Sequence, residues 1–105
     1  MAADFLRSQG YKVLYQRWRK GNYEIDIVAW QDGELVFVEV RTVSQQTPWN
    51  PESTIRRGKQ SGIRRSVEIF FTENPVYESL PARIDVVAVR LSEVPEVVLF
   101  VDAFR

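Results

Sequence analysis

The sequence predicts an α/β fold with a mixed five-stranded sheet flanked by helices, in the order α-β-β-β-α-β-β. Two apolar runs, residues 22–31 and 34–43, flank an Asp-Gly pair, which is a strong short-range signal for a β-hairpin. Residues 51–71 carry apolar side chains at helical spacing. Further apolar runs at 82–91 and 97–101 predict two more strands, so this helix crosses over between the third and fourth strands.

Length and composition restrict the classes of function. The 105 residues predict one domain, 1–105, and 45% of them are hydrophobic, as in ordinary globular proteins. The chain has no cysteine and no histidine, which excludes disulfides, Ser-His triads and most zinc sites. Any catalysis must therefore use carboxylates, Lys, Arg, Tyr or a bound metal.

No membrane partner is expected, because no apolar run approaches the ~20 residues of a membrane span. The start, Met-Ala-Ala-Asp, lacks the basic segment and apolar core of a signal peptide, so a cytoplasmic location is expected. Residues 1–72 hold 11 Lys and Arg against 8 Asp and Glu. This basic bias suits a phosphate-bearing partner but also fits ordinary solvated charge.

The first two elements are a short helix and a strand. Residues 2–9 predict a helix that ends at Gly10, and residues 11–19 predict a strand rich in aromatic and β-branched side chains. Residues 5–20 contain basic and aromatic side chains and no acid. They predict either a surface that stacks on nucleic-acid bases or an edge strand whose charges discourage aggregation.

The central hairpin supplies the candidate site. A two-residue turn at Asp32-Gly33 would place Asp26 opposite Glu39, and Glu24 opposite Arg41. Two carboxylates that face each other in an apolar setting need a proton or a cation between them. Oxygen ligands from carboxylates favour Mg²⁺, Mn²⁺ or Ca²⁺ over zinc.

Other interpretations of the same acids remain open. Glu24 and Arg41 would form an ordinary cross-strand ion pair, with Asp26 and Glu39 bonded to loop amides or facing solvent. A three-residue turn would shift the register and separate the acids.

Residues 42–49 predict a polar loop that could close over a substrate, and Asn50-Pro51 predicts a helix start. In the helix 51–71, Lys59 falls on the apolar face, so it either extends out along its stem or meets a buried acid of the hairpin. Four arginines are expected on the opposite side of this helix: Arg56, Arg57, Arg64 and Arg65.

The last two strands are predicted to differ in position. Residues 82–91 are apolar enough for a central strand, and residues 97–101 predict a final edge strand. Asp85, within the first of them, is expected to be structural.

Four features in this order resemble the YraN-like family of uncharacterised bacterial proteins: Glu24-Ile25-Asp26-Ile27-Val28-Ala29, Leu35-Val36-Phe37-Val38-Glu39-Val40-Arg41-Thr42, a basic helix and Arg83-Ile84-Asp85-Val86-Val87-Ala88-Val89. The resemblance implies a restriction-endonuclease-like core with the pattern PD-(D/E)xK.

By this resemblance Asp26 and Glu39 bind a divalent metal, Arg41 occupies the position of the usual lysine, and Glu24 and Lys59 match further positions of the family. The carbonyl of Val40 would be a third ligand. Arg41 departs from the pattern, because a guanidinium stays charged and cannot act as a base. A Gly-Glu pair of the family's first helix has no counterpart in this chain.

The expected function is a Mg²⁺- or Mn²⁺-dependent nuclease acting on DNA, with branched DNA suggested by analogy with resolvases of this fold. Arg56, Arg57, Arg64 and Arg65 would hold the DNA backbone. RNA is the alternative nucleic acid, and a homodimer is expected because two strand cuts often use two sites. The competing hypothesis is a catalytically inactive module that binds nucleic acid or protein on the same fold.

Overall fold

A computed structural model describes residues 1–43, 50 and 62–104. Its elements are α1 (Ala2–Ser8), β1 (Lys12–Lys20), β2 (Tyr23–Gln31), β3 (Glu34–Val43), α2 (Ile63–Glu73), a 3₁₀ turn (Pro75–Tyr77), β4 (Ala82–Arg90) and β5 (Glu96–Phe100). Within the described residues this is the α/β arrangement expected from the apolar runs.

The sheet has the strand order β1-β2-β3-β4-β5. β3 and β4 are parallel, and the other neighbouring strands are antiparallel. A parallel pair needs a crossover connection, which is where α2 lies in the chain. The predicted mixed sheet is therefore confirmed, with β4 inside it and β1 and β5 at its edges.

The β2–β3 turn sets the register of the central hairpin. Asp32 and Gly33 both have positive φ angles, +53° and +76°, which a two-residue hairpin turn with matching twist requires. Gln31 therefore pairs with Glu34, and the pairing continues to Ile27 and Val38. The predicted two-residue turn is confirmed, and the alternative three-residue turn is wrong.

Both faces of the hairpin are buried. On one face Val28, Leu35 and Phe37 pack with Phe70 of α2, and the rings of Phe37 and Phe70 meet edge-to-face at 5.2 Å. On the other face Leu6 of α1 belongs to a separate apolar cluster. Burial on two sides explains why these strands are almost continuously apolar instead of alternating.

The prediction of one continuous helix over 51–71 is wrong at Gly62. The φ angle of Gly62 is +88°, a left-handed conformation that a continuous right-handed helix does not contain, and α2 begins at Ile63. The helix ends at Glu73, two residues later than expected. The predicted loop 42–49 and the helix start at Asn50-Pro51 lie largely outside the described residues.

A buried polar network around Asp85 joins segments that are far apart in the sequence. Asp85 of β4 is fully buried and accepts hydrogen bonds from Tyr11 Oη at 2.7 Å, Arg83 Nε at 3.0 Å and the backbone N–H of Asp102 at 2.9 Å. Arg83 also pairs with Glu34 at 3.1 Å. Three donors satisfy a carboxylate that would otherwise be costly to bury, which agrees with the structural role expected for Asp85.

Candidate functional site

Three acidic side chains line one cleft between the open end of the hairpin and the start of α2. Glu24, Asp26 and Glu39 contribute to a cavity of about 410 Å³. The other residues that line it are Asn22, Tyr23, Gly62, Ile63, Arg65 and Ser66. The structure thus brings together the acids that the hairpin register singled out.

Asp26 is held where regular pairing between β2 and β3 ends. The paired register reaches Ile27 and Val38, and Asp26 and Glu39 are the next residues along each strand. There the Asp26 carboxylate accepts a hydrogen bond from the backbone N–H of Val40 at 2.7 Å. The side chain thus replaces a ladder hydrogen bond, and its orientation is set by the main chain.

The environment of Asp26 disfavours its negative charge. Burial raises the pKa of the Asp26 carboxyl, and the charges of Glu24 and Glu39 raise it further, whereas the Val40 N–H acts in the opposite direction. Within the described residues Oδ1 of Asp26 has no hydrogen-bond donor. A partly buried carboxylate with one oxygen available is a suitable ligand for a cation.

Glu39 is already next to a cation. Its Oε2 accepts a hydrogen bond from Arg41 Nε at 2.5 Å, and the exposed fractions of the two side chains are 17% for Glu39 and 14% for Arg41. The Arg41 guanidinium also lies over the ring of Phe104, 5.5 Å from its centroid. Strand alternation places Glu39 and Arg41 on one face of β3, and their contact partly neutralises Glu39.

Glu24 has a different partner from the one expected in the ion-pair interpretation. It pairs with Arg19 of β1 at 3.3 Å, not with Arg41. The reason is that the β1–β2 register extends to Lys20 and Tyr23, whereas the β2–β3 register stops at Ile27. The first residues of β2 therefore pair with β1 and not with β3. The interpretation of Glu24 and Arg41 as a cross-strand ion pair is wrong.

The donor set suits a metal that needs few protein ligands. No group of three or more Asp, Glu, His or Cys side chains within the described ranges is arranged to hold a metal ion. Mg²⁺ commonly binds through one or two carboxylates and keeps several waters. Asp26 and Glu39, with their oxygen donors, fit an ion of this kind, although Arg41 competes for Glu39.

The predicted basic surface of the helix is divided. Arg65 is exposed, pairs with Glu68 at 3.1 Å and lines the acidic cleft. Arg64 instead lines a separate cavity of about 190 Å³ with Phe37 and Ile84, and its Nε is buried without a hydrogen-bond partner in the described structure. The prediction that these arginines lie on the side of the helix opposite its apolar face is therefore wrong for Arg64. Three further predicted residues lie outside the described residues: Arg56, Arg57 and Lys59.

Three aromatic side chains in β1 or directly before it pack within the fold. Tyr11 is buried, and Tyr15 and Trp18 pack edge-to-face on Phe70 with ring centroids 5.8 and 5.1 Å away. The stacking interpretation is therefore wrong for Tyr11, whereas Tyr15 and Trp18 are half-buried and use part of their ring surface to pack on Phe70. β1 lies at the edge of the sheet, which agrees with the alternative.

Sequence reasoning did not assign a role to Ser66, which lines the acidic cleft and donates a hydrogen bond to the carbonyl of Gly62 at 3.3 Å. Ser66 lies three residues after Ile63 and four before Phe70, so helical spacing places it on the apolar face. A polar residue in that position was the sequence signal for its place in the cleft.

No helix among the described residues has the length and apolar character that crossing a membrane requires.

Comparison with known proteins identifies relatives of this chain. The model of the uncharacterised protein family UPF0102 matches residues 1–89. A UPF0102 protein of Roseiflexus castenholzii is 43% identical over 89 residues, which cover 85% of this chain and 72% of that protein. A UPF0102 protein of Lachnoclostridium phytofermentans is 39% identical over 93 residues, covering 89% and 79% of the two chains. The chain therefore belongs to the uncharacterised protein family UPF0102, which confirms its resemblance to the YraN-like proteins.

Proposed function

We propose that this protein is a metal-dependent nuclease that hydrolyses phosphodiester bonds in DNA, built on a restriction-endonuclease-like core. The observation that carries the proposal is the cleft in which Glu24, Asp26 and Glu39 meet, with the pKa of Asp26 raised by burial and by the other two charges. Carboxylates whose pKa is raised by burial and by neighbouring negative charges are typical of functional sites. Such a cluster lowers the stability of the fold unless a bound ligand neutralises it.

Asp26, Glu39 and the carbonyl of Val40 are the proposed ligands of Mg²⁺ or Mn²⁺. A bound divalent ion lowers the pKa of a coordinated water and polarises the phosphate. The Val40 N–H has the separate role of orienting Asp26, so that Oδ1 is left for a ligand.

The cations of the cleft are proposed to act on the substrate. Arg41, which is held beside Glu39, stabilises negative charge that develops on the phosphate. Arg65 at the rim contacts the DNA backbone, with Arg56 and Arg57 as further proposed contacts, whereas Arg64 lines a separate cavity and is left out of this role. Because Arg41 cannot give up its proton, Lys59 is the proposed amine that assists the attacking water.

The substrate in this proposal is DNA, branched or otherwise structured, rather than RNA, and the protein acts in the cytoplasm. The strand order is a property of the fold, and similar folds host unrelated activities. The site residues are therefore the part that an experiment must test.

One observation favours a catalytically inactive binding module instead. The Arg41–Glu39 ion pair at 2.5 Å neutralises one of the two acids that a metal would use. If this pair does not open, the cleft keeps its cations for phosphate binding but holds no metal.

The test is calorimetric Mn²⁺ binding by the wild type and by Asp26→Asn and Glu39→Ala, followed by cleavage assays on branched and flapped DNA. We expect binding in the micromolar to millimolar range that both substitutions abolish. Asp32→Asn, in the exposed turn of the same hairpin, is the matched control and should bind like the wild type.

Arg41→Ala separates the two candidates, since removal of the competing cation should tighten Mn²⁺ binding if the acids form a metal site. Absence of Mn²⁺ binding by both the wild type and Arg41→Ala would contradict the nuclease. Salt-dependent DNA affinity without metal binding or cleavage would support the binding module.

A further inference from the structure

Two acids of the cleft, Glu24 and Asp26, line cavities on both sides of β2. Besides the cavity under α2, Glu24 and Asp26 line a second cavity of about 260 Å³ on the side of α1. Arg17 of β1 lines this second cavity, together with Gln16, Val40 and the first residues of α1. Arg65 lines the first of these cavities and Arg17 lines the second. A DNA strand that crosses the end of β2 would therefore meet the acids with one of these arginines on each side.

The backbone of Arg17 adopts an unusual conformation for this position. Its φ angle is +54°, although it lies within a strand and has a Cβ atom. Gln16 pairs with Ile27 and Trp18 pairs with Ile25, so Arg17 lies level with Asp26 on the neighbouring strand. The left-handed residue thus occurs beside the central acid of the site.

The charge of Arg17 is available for a ligand. Its neighbours on β1 are already paired, Arg19 with Glu24 at 3.3 Å and Lys20 with Glu73 at 3.1 Å. Arg17 is exposed and has no ion-pair partner in the ranges 1–43, 50 and 62–104. Among the described residues that line either acidic cavity, it is a cation without a carboxylate to neutralise it.

We propose that Arg17 binds the DNA phosphate next to the one positioned at Asp26 and Glu39. This inference rests on the proposed function. The acids repel the DNA backbone, so a guanidinium level with Asp26 offsets that repulsion and can bind phosphate oxygens through two N–H groups. Arg17 is a substrate-binding residue in this assignment, and it reads no base sequence.

The test is the affinity of Arg17→Gly for a branched DNA oligonucleotide, measured across a salt series without divalent metal. Loss of one phosphate contact should reduce the slope of log K against log salt by about 0.7–0.9. We expect affinity at low salt to fall roughly five- to tenfold, and Arg17→Lys to restore most of it. Glycine accepts positive φ without strain, so the melting temperature of Arg17→Gly should not fall.

The matched control is Lys12→Ala, which removes an exposed cation at the opposite end of β1, where Lys12 pairs with Trp30. Its salt slope should equal that of the wild type. A slope in Arg17→Gly equal to that of the wild type, or an equal loss in Lys12→Ala, would overturn the inference and leave the nuclease proposal standing. A wild type without salt-dependent DNA affinity would overturn this inference, whereas the Mn²⁺-binding and cleavage assays decide the nuclease proposal separately.

Discussion

At the scale of single residues, Asp26 shows how the site conflicts with stability. Its carboxylate is partly buried near Glu24 and Glu39, and in the described part of the chain the Val40 N–H is the one donor that stabilises its charge. The ionised form is therefore less favourable in the folded protein than in the unfolded chain. The neutral form escapes this penalty, which gives the stability a pH dependence of known sign.

We expect Asp26→Asn to raise the melting temperature at pH 7 by roughly 2–4 °C. Because folding raises the pKa of Asp26, wild-type stability falls as pH rises from the ordinary Asp pKa of about 3.9 through the higher folded value. The advantage of Asn should therefore disappear below about pH 4.

Thermal melts between pH 3 and pH 8, read by circular dichroism, would measure this difference. Asp32→Asn in the exposed turn is the control for loss of an acid elsewhere and should show no comparable advantage. A lower melting temperature of Asp26→Asn at pH 7 would mean that the charge of Asp26 stabilises the fold.

At the scale of elements, Gly62 decides where α2 begins. Its φ angle of +88° ends any helix that reaches it from the N-terminal side, and α2 starts at the next residue. A periodicity argument treats Gly62 only as a weak helix residue, because apolar spacing continues on both sides of it. The boundary depends on a backbone angle that side-chain patterns do not encode.

Gly62→Ala should lower the free energy of unfolding by about 1 kcal/mol, because a Cβ atom disfavours the left-handed conformation. A new Cβ would meet no atom of the described residues within 4 Å, so the expected cost is that of the backbone conformation. A continuous helix predicts the opposite sign, since Ala stabilises a helix interior by about 1 kcal/mol relative to Gly.

Urea denaturation would show whether Gly62→Ala lowers or raises the free energy of unfolding. Thr72→Ala, at an exposed position of the same helix, is the control and should not reduce stability, since Ala has the higher helix propensity. A stabilised Gly62→Ala variant would contradict the left-handed start of α2.

At the scale of the whole molecule, the Asp85 network connects segments that are distant in sequence. Tyr11 precedes β1, Arg83 and Asp85 belong to β4, and Asp102 follows β5. Burial raises the pKa of Tyr11 to about 12, and its hydrogen bond to Asp85 contributes to this shift. The hydrogen bond from Tyr11 to Asp85 therefore contributes to stability only while the Tyr11 hydroxyl keeps its proton.

Tyr11→Phe should lower the free energy of unfolding by about 1–3 kcal/mol at pH 7, because Asp85 loses a donor in a fully buried position. The stability that Tyr11 contributes is complete below its unfolded pKa of about 10 and is lost as pH rises towards 12. Wild type and Tyr11→Phe should therefore approach each other in stability above pH 10.

Chemical denaturation at pH 7 and at pH 11 would test this, with Tyr23→Phe as the control because Tyr23 is partly exposed. Equal stability of wild type and Tyr11→Phe at pH 7 would show that the Tyr11 hydrogen bond adds nothing net.

The sequence alone determined the sheet strands, the two-residue turn and the proximity of Asp26 and Glu39, because strand alternation and turn geometry are local properties. Family membership also follows from sequence. Only the tertiary structure decided that Glu24 pairs with Arg19, that Arg64 and Arg65 line different cavities and that Arg17 lies level with Asp26. The first and third outcomes depend on how far the ladder between β1 and β2 extends, and the second depends on how α2 packs on the sheet. The residue pattern of a single segment encodes neither.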